Sequence, residues 1–149
     1  MTMQITVPST DSVYWRLYAK SKRLAWDPAD IDLTADVARW RAIARDYPVE
    51  QYSEQIHRLC SLFYQGEESV TLTLSPFLSA VARAGLGLDK EMFLTSQLYE
   101  EAKHFEFFHR YFTEVIGESG AATARQMTPE PQAVLVDDLA EVSERMRRE

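Results

Sequence analysis

Cysteine is nearly absent. Cys60 is the only one in 149 residues, so no internal disulfide can form and a reducing cytoplasm is the expected setting. Glycine and proline are scarce, at five and six residues, which excludes a collagen-like or low-complexity chain. Positive charge is in deficit: 16 Lys and Arg face 23 Asp and Glu, for a net charge of -7. That balance argues against a nucleic-acid partner, which needs cations for its phosphates. No apolar run approaches the roughly 18 residues of a membrane span, so no membrane partner is expected. The opening MTMQITVPSTDS has no basic segment followed by an apolar one, so no signal peptide is readable. Histidine is rare as well: there are three, and none follows His109.

What is present is ordinary globular composition, with 46% hydrophobic and 26% charged residues. The length suits one domain over residues 1–149, with residues 1–25 as an N-terminal arm. Residues 11–25 read either as a short basic helix or as a packed arm. Trp26-Asp27-Pro28-Ala29-Asp30 is turn chemistry, because the residue before proline avoids the helical region. Thr34 is placed to cap a helix of about three turns ending near Asp46. Pro48 suits the first turn of the next helix. From there to Ala84, Tyr52, Ile56, Leu59, Phe63, Val70, Leu74, Phe77 and Val81 recur at steps of three and four. Val70-Thr71-Leu72-Thr73-Leu74 taken alone reads as a strand, but the helical period runs through it. A kink or bulge is expected near Gly66 or Pro76. Gly85-Leu86-Gly87 ends this helix. Asp89 is placed to cap the next, which runs to about Ile116 and stops at Gly117. A loop over 117–128 then leads to a last helix from Thr128-Pro129, with Leu135, Leu139, Val142 and Met146 as its apolar positions. The fold class is all-α: two very long helices with short flanking ones. The short helices offer too little surface to cover both long apolar stripes, so the chain reads as half of a larger bundle.

Each long stripe has one position filled by a carboxylate. On the first, Glu67 fills the phase between Phe63 and Val70. On the second, Glu101 fills it between Leu98 and Phe105. An unpaired buried carboxylate costs several kcal/mol, of order 2–7 or more, so it stays neutral, pairs, or binds a metal. His104 follows Glu101 by three residues, on the same helix face, so the two can offer an oxygen and a nitrogen to one ion. The spacing does not discriminate by itself, since Glu54/His57 and Glu106/His109 share it. Helical phase does: Glu106 and His109 lie about 140° away on the polar flank, and Glu54 is also off its stripe. The bland alternative pairs these glutamates with Arg83, Lys90, Lys103 or Arg110. Two centred glutamates on consecutive helices, one with a histidine at i+3, favour a metal site. Glu68 and Glu100 sit one step off phase and read as surface or supporting carboxylates. Phe105, Phe107, Phe108, Tyr111 and Phe112 read as core packing, Cys60 as a small core residue, and Trp26 with Asp27 as a packed anchor and cap.

Gly66-Glu67-Glu68-Ser69-Val70-Thr71, Phe93-Leu94-Thr95 and Glu100-Glu101-Ala102-Lys103-His104 resemble the ferritin-like di-metal carboxylate proteins. Within them, the similarity is to the ribonucleotide-reductase-small-subunit-like ligand-binding oxidases. Trp26-Asp-Pro-Ala-Asp-Ile-Asp-Leu-Thr34 fits that group too, and the resemblance covers about residues 24–116. It implies a four-helix bundle with a dinuclear centre held by four carboxylates and two histidines. Carried over, the metal ligands are Glu67, Glu101 and His104, with Glu101 bridging. The cofactor implied is manganese plus iron, or two irons. The chemistry implied is O2 activation and two-electron oxidation of a hydrophobic, lipid-like ligand, with a long-chain fatty acid held nearby. Val70 matches the valine of a valine–tyrosine ether cross-link. In the more distant reductase radical subunit, the radical-bearing tyrosine lies four residues after the ligand histidine. Here that residue is Phe108, which favours the oxidase reading.

The chain departs from that group in one large respect: it carries half the ligands. A homodimer would supply two copies of Glu67, Glu101 and His104, the full complement. Alternatively the sequence is part of a longer or split protein. A non-catalytic helical interaction protein and an iron store are the competing classes.

Overall fold

In the computed structural model, residues 6–47, 49–117 and 139–148 are described. All regular structure among them is helical. Helix α1 spans Val13–Arg23, α2 Thr34–Asp46, α3 Val49–Arg83, α4 Leu88–Arg110 and α5 Leu139–Arg148. A 3-10 turn at Pro28–Asp30 links α1 to α2. The π-helical segment Tyr111–Ile116 extends α4. The 35 residues of α3 make a rod of roughly 52 Å. It is helical straight through Val70–Leu74, Gly66 and Pro76, so the strand reading is wrong there, as the period indicated. A π segment lies at the end of α4, where Gly117 N–H donates to the Phe112 carbonyl at 2.9 Å. Nothing in the residue types of Tyr111–Ile116 marks it.

The segment 11–25 contains helix α1, which packs on α4. Ser12 caps it, its hydroxyl accepting the Trp15 N–H at 3.0 Å. The basic last turn, Lys20, Lys22 and Arg23, sits where the helix dipole favours cations. Two expected caps need correction. Thr34 is the first residue of α2 rather than its cap, and the Asp32 carboxylate accepts the Thr34 N–H at 2.9 Å. Asp89 lies inside the first turn of α4, whose N-cap is Gly87. Asp89 is instead buried and accepts a hydrogen bond from the Ser12 side chain, which holds its carboxyl below the usual range. Gly87 is required by its backbone. Its φ is +117°, and a Cβ there would meet the Asp89 carboxylate at 2.8 Å. The expected loop over 117–128, the helix start at Thr128-Pro129, Leu135 and Pro48 lie outside the described residues, Gly117 excepted.

Helices α3 and α4 form an antiparallel pair. Its seam is aromatic: Tyr64 stacks on Phe105 at 4.3 Å and Phe63 on Phe108 at 5.6 Å, while Tyr64 meets Phe112 edge-on at 5.8 Å. Such pairs add about 0.5–1.5 kcal/mol each beyond their area burial. Phe112 is fully buried, with Val115, Leu94 and Val81 close to it in burial. The α3 stripe is only partly covered: Leu59 is 55%, Phe63 49% and Phe77 43% exposed. Among the described residues, two long packed helices with one apolar flank still open fit half of a four-helix bundle.

Candidate metal centre

The aromatic seam sets the register of the centre. One turn beyond Phe63 on α3 stands Glu67. One turn before Phe108 on α4 stands His104, with Glu101 one turn earlier still. Because the helices run antiparallel, these residues meet. His104 Nδ1 lies 3.3 Å from Glu67 Oε2 and 3.4 Å from Glu101 Oε2. One ligand atom from each of the three residues lies within 4.8 Å of the other two. Among the described residues this is the one group of three or more such side chains placed to hold a metal ion.

The electrostatics of the cluster are those of a site short of positive charge. Burial pushes the Glu67 carboxyl up from 4.5 to about 6, helped by a hydrogen bond with Glu101 and by that residue's charge; His104 opposes the rise. The cations that offered a bland explanation are engaged elsewhere. Lys103 pairs with Glu100 at 2.8 Å and Arg110 with Glu114 at 2.7 Å. Arg83 donates to the Met146 carbonyl and Lys90 to the Leu86 carbonyl. Two carboxylates and an imidazole converging without a lysine or arginine from that set form the hard, mixed O/N donor group that manganese and iron take.

The competing Glu-x-x-His pair at Glu106 and His109 is exposed, as phase required. Of Glu54 and His57, the side chains lie outside the described residues. Val70 is half-buried on α3, one turn after Glu67. Glu68 is exposed, whereas Glu100 is not. Glu100 accepts the Trp26 indole N–H at 3.0 Å as well as the Lys103 ammonium. Trp26 in turn stacks against His104, with ring centroids 5.8 Å apart. Sequence reasoning placed Trp26 as an anchor but did not connect it to the histidine. The available signal was the Glu100–Lys103 spacing of three, which pairs opposite charges on one helix face. Cys60 is half-buried, and burial raises its thiol.

The helix pairing matches one half of a ferritin-like bundle fold. Its structural neighbours are R2-like ligand-binding oxidases. A tyrosine-to-phenylalanine variant with an aerobically reconstituted Mn/Fe cofactor is 31% identical, with a TM-score of 0.81, covering 95% of this chain and 50% of that one. A valine-to-leucine variant with an anaerobically reconstituted Mn/Fe cofactor is 29% identical, with a TM-score of 0.82 and the same coverage. A glycine-to-phenylalanine variant, also Mn/Fe, has 29% identity and a TM-score of 0.82 over 95% of this chain and 51% of that one. The chain therefore spans about half the length of the solved chains it resembles. No family model matches it. Among the described residues, no helix is long and apolar enough to cross a membrane.

Proposed function

We propose that this chain is the ligand-bearing first half of an O2-activating dinuclear oxidase of the R2-like ligand-binding type. The observation that carries the reading is the meeting of Glu67, Glu101 and His104 across α3 and α4. It falls within the half of the fold shared with proteins whose structures hold Mn/Fe. These three side chains fit the metals: two hard anionic donors and one imidazole, with Glu67 held partly protonated until a cation replaces its proton. When bound, a pair of manganese and iron ions, or two irons, supplies the electrons that reduce O2. The chain's own residues do the rest. Glu67 and Glu101 neutralise the cations, and the Phe105 and Phe108 rings, next to and one turn after His104 on α4, give one end of the site an apolar wall. Val70, one turn from Glu67, is the position for an ether cross-link. The substrate class is a hydrophobic, lipid-like molecule, a long-chain fatty acid fitting the apolar surroundings. A cytoplasmic setting suits reduced metals.

A second pair of helices must complete the centre, since a full ferritin-like site takes a glutamate from each of two helices and Glu-x-x-His from each of two others. A second copy of this chain would supply that set in a homodimer, and the remainder of a longer protein would supply it equally. The exposed Leu59, Phe63 and Phe77 are the apolar surface such a partner covers. That same open flank favours the second reading, a helical interaction module with no metal chemistry. The test is anaerobic reconstitution with Mn2+ and Fe2+ followed by elemental analysis and native mass. The oxidase reading requires bound metal that is lost in Glu101→Ala. Unchanged folding and assembly with no metal uptake assigns the interaction module.

A further inference from the structure

The two glutamates hold the His104 ring only at its Nδ1 edge, at 3.3 and 3.4 Å. Its side chain is 41% exposed, so the faces of the ring need a separate support. Trp26 covers it, at an interplanar angle of 26° and a centroid distance of 5.8 Å, within the range of an aromatic stack.

Trp26 does not belong to the two ligand helices, so its position is itself a question of what holds it. Its indole N–H donates to Glu100 Oε2 at 3.0 Å, and its backbone carbonyl accepts from Lys103 Nζ at 3.2 Å. The same ammonium donates to Glu100 Oε1 at 2.8 Å and stands over the Trp26 ring at 5.0 Å and the Tyr99 ring at 4.9 Å. Lys103 is only 3% exposed, and a lysine is almost never that buried unless it is paired. Two turns further along α4, Arg110 grips the same strap, donating to the Pro28 carbonyl and, at 3.3 Å, to the Ile31 carbonyl. Asp27 caps the turn between, accepting the Ala29 N–H at 2.9 Å. The strap is thus pinned to α4 at both ends by cations from that helix, with the indole laid on the ligand histidine.

We infer that Trp26, clamped by Lys103 and Glu100, is a positioning residue that fixes the His104 imidazole so that Nδ1 faces Glu67 and Glu101. Its bearing on metal affinity rests on the metal-site reading above; the bracing of the ring does not. Partners that orient a ligand histidine typically change metal affinity about 10–100-fold when removed.

The test uses NMR of the metal-free full chain, followed by titration with Co2+. The indole stacked on His104 shifts its ring protons upfield by ring current, whereas those of the exposed His109 stay at ordinary positions. In Trp26→Leu the His104 resonances move to ordinary positions, and Co2+ affinity falls about 10-fold. Trp26→Phe keeps a stacking face and restores most of both. Lys103→Met, which leaves the indole but releases its clamp, moves the resonances part of the way and serves if the leucine variant does not fold. His104 resonances unchanged in the folded variants overturn the inference. A wild-type chain that shows the upfield shift but binds no Co2+ overturns the metal reading and supports the brace. Equal Co2+ affinity with tryptophan and leucine overturns the brace and leaves the metal reading intact.

Discussion

Replacing Glu67 by glutamine separates what its carboxylate costs the fold from what it offers a cation. Glu67 titrates at about 6 in the folded chain against an ordinary 4.5. Its folded form therefore holds a proton more tightly than its unfolded form does. The sign follows by linkage: the native state carries more protons between these values, so stability falls as pH rises through the window. Below about pH 4.5 the residue is protonated in both states and imposes no penalty; above about pH 6 the full penalty is present. The gap corresponds to about 2 kcal/mol at 1.4 kcal/mol per tenfold change. The Glu67 side chain is one-fifth exposed, and solvent screening reduces the figure to about 1–2 kcal/mol. Glutamine keeps the shape and removes the charge. Metal-free Glu67→Gln should therefore melt with the wild type near pH 4.5 and above it at pH 7.5, by about 2–8 °C for a chain of this size. Thermal melts in chelator across pH 4.5–8 read this directly. Parallel pH profiles for the two proteins would refute the reasoning, because they would mean that no penalty resides at Glu67.

The same proton competes with metal. Mn2+ affinity measured by calorimetry should fall as pH is lowered through about 6, with proton uptake by buffer accompanying binding below that point. Phe112→Ala, at a fully buried position, should cost about 3–5 kcal/mol in chemical denaturation. Lys103→Met leaves Glu100 without its buried counter-ion and the Trp26 carbonyl without its donor. It should destabilise the chain by about 3 kcal/mol, the low end for breaking a buried pair, and Lys103→Met/Glu100→Gln should recover part of that. Leu59→Lys, at a position 55% exposed, should leave the melting temperature of the isolated chain within about 2 °C. It should weaken association in native mass spectrometry if that flank receives a partner.

The two long helices and the convergence of Glu67, Glu101 and His104 were legible in sequence because periodicity reports which face is buried, and a carboxylate in phase with that face is conspicuous. Glu67 and Glu101 stood out for that reason, and His104 was separated from His109 by phase alone. Capping was less legible. Thr34 and Asp89 have the right chemistry for caps, yet α2 has Leu33 at its N-cap, with the Thr34 N–H going to Asp32, and Asp89 accepts from Ser12, the cap of α1. The π segment at Tyr111–Ile116 has no residue signature. The Trp26–His104 stack joins residues 78 positions apart, beyond the reach of any local pattern. Its one local trace was Lys103, a lysine on α4 three residues after Glu100.

Paramagnetic Mn2+ titrated into the isotope-labelled full chain tests the central claim most directly, because line broadening detects binding at half a site as well as at a completed one. The account predicts broadening centred on Glu67, Glu101 and His104, weakening with distance along α3 and α4, and abolished in Glu101→Ala. Broadening spread over the exposed acidic surface, unchanged by Glu101→Ala, would contradict it.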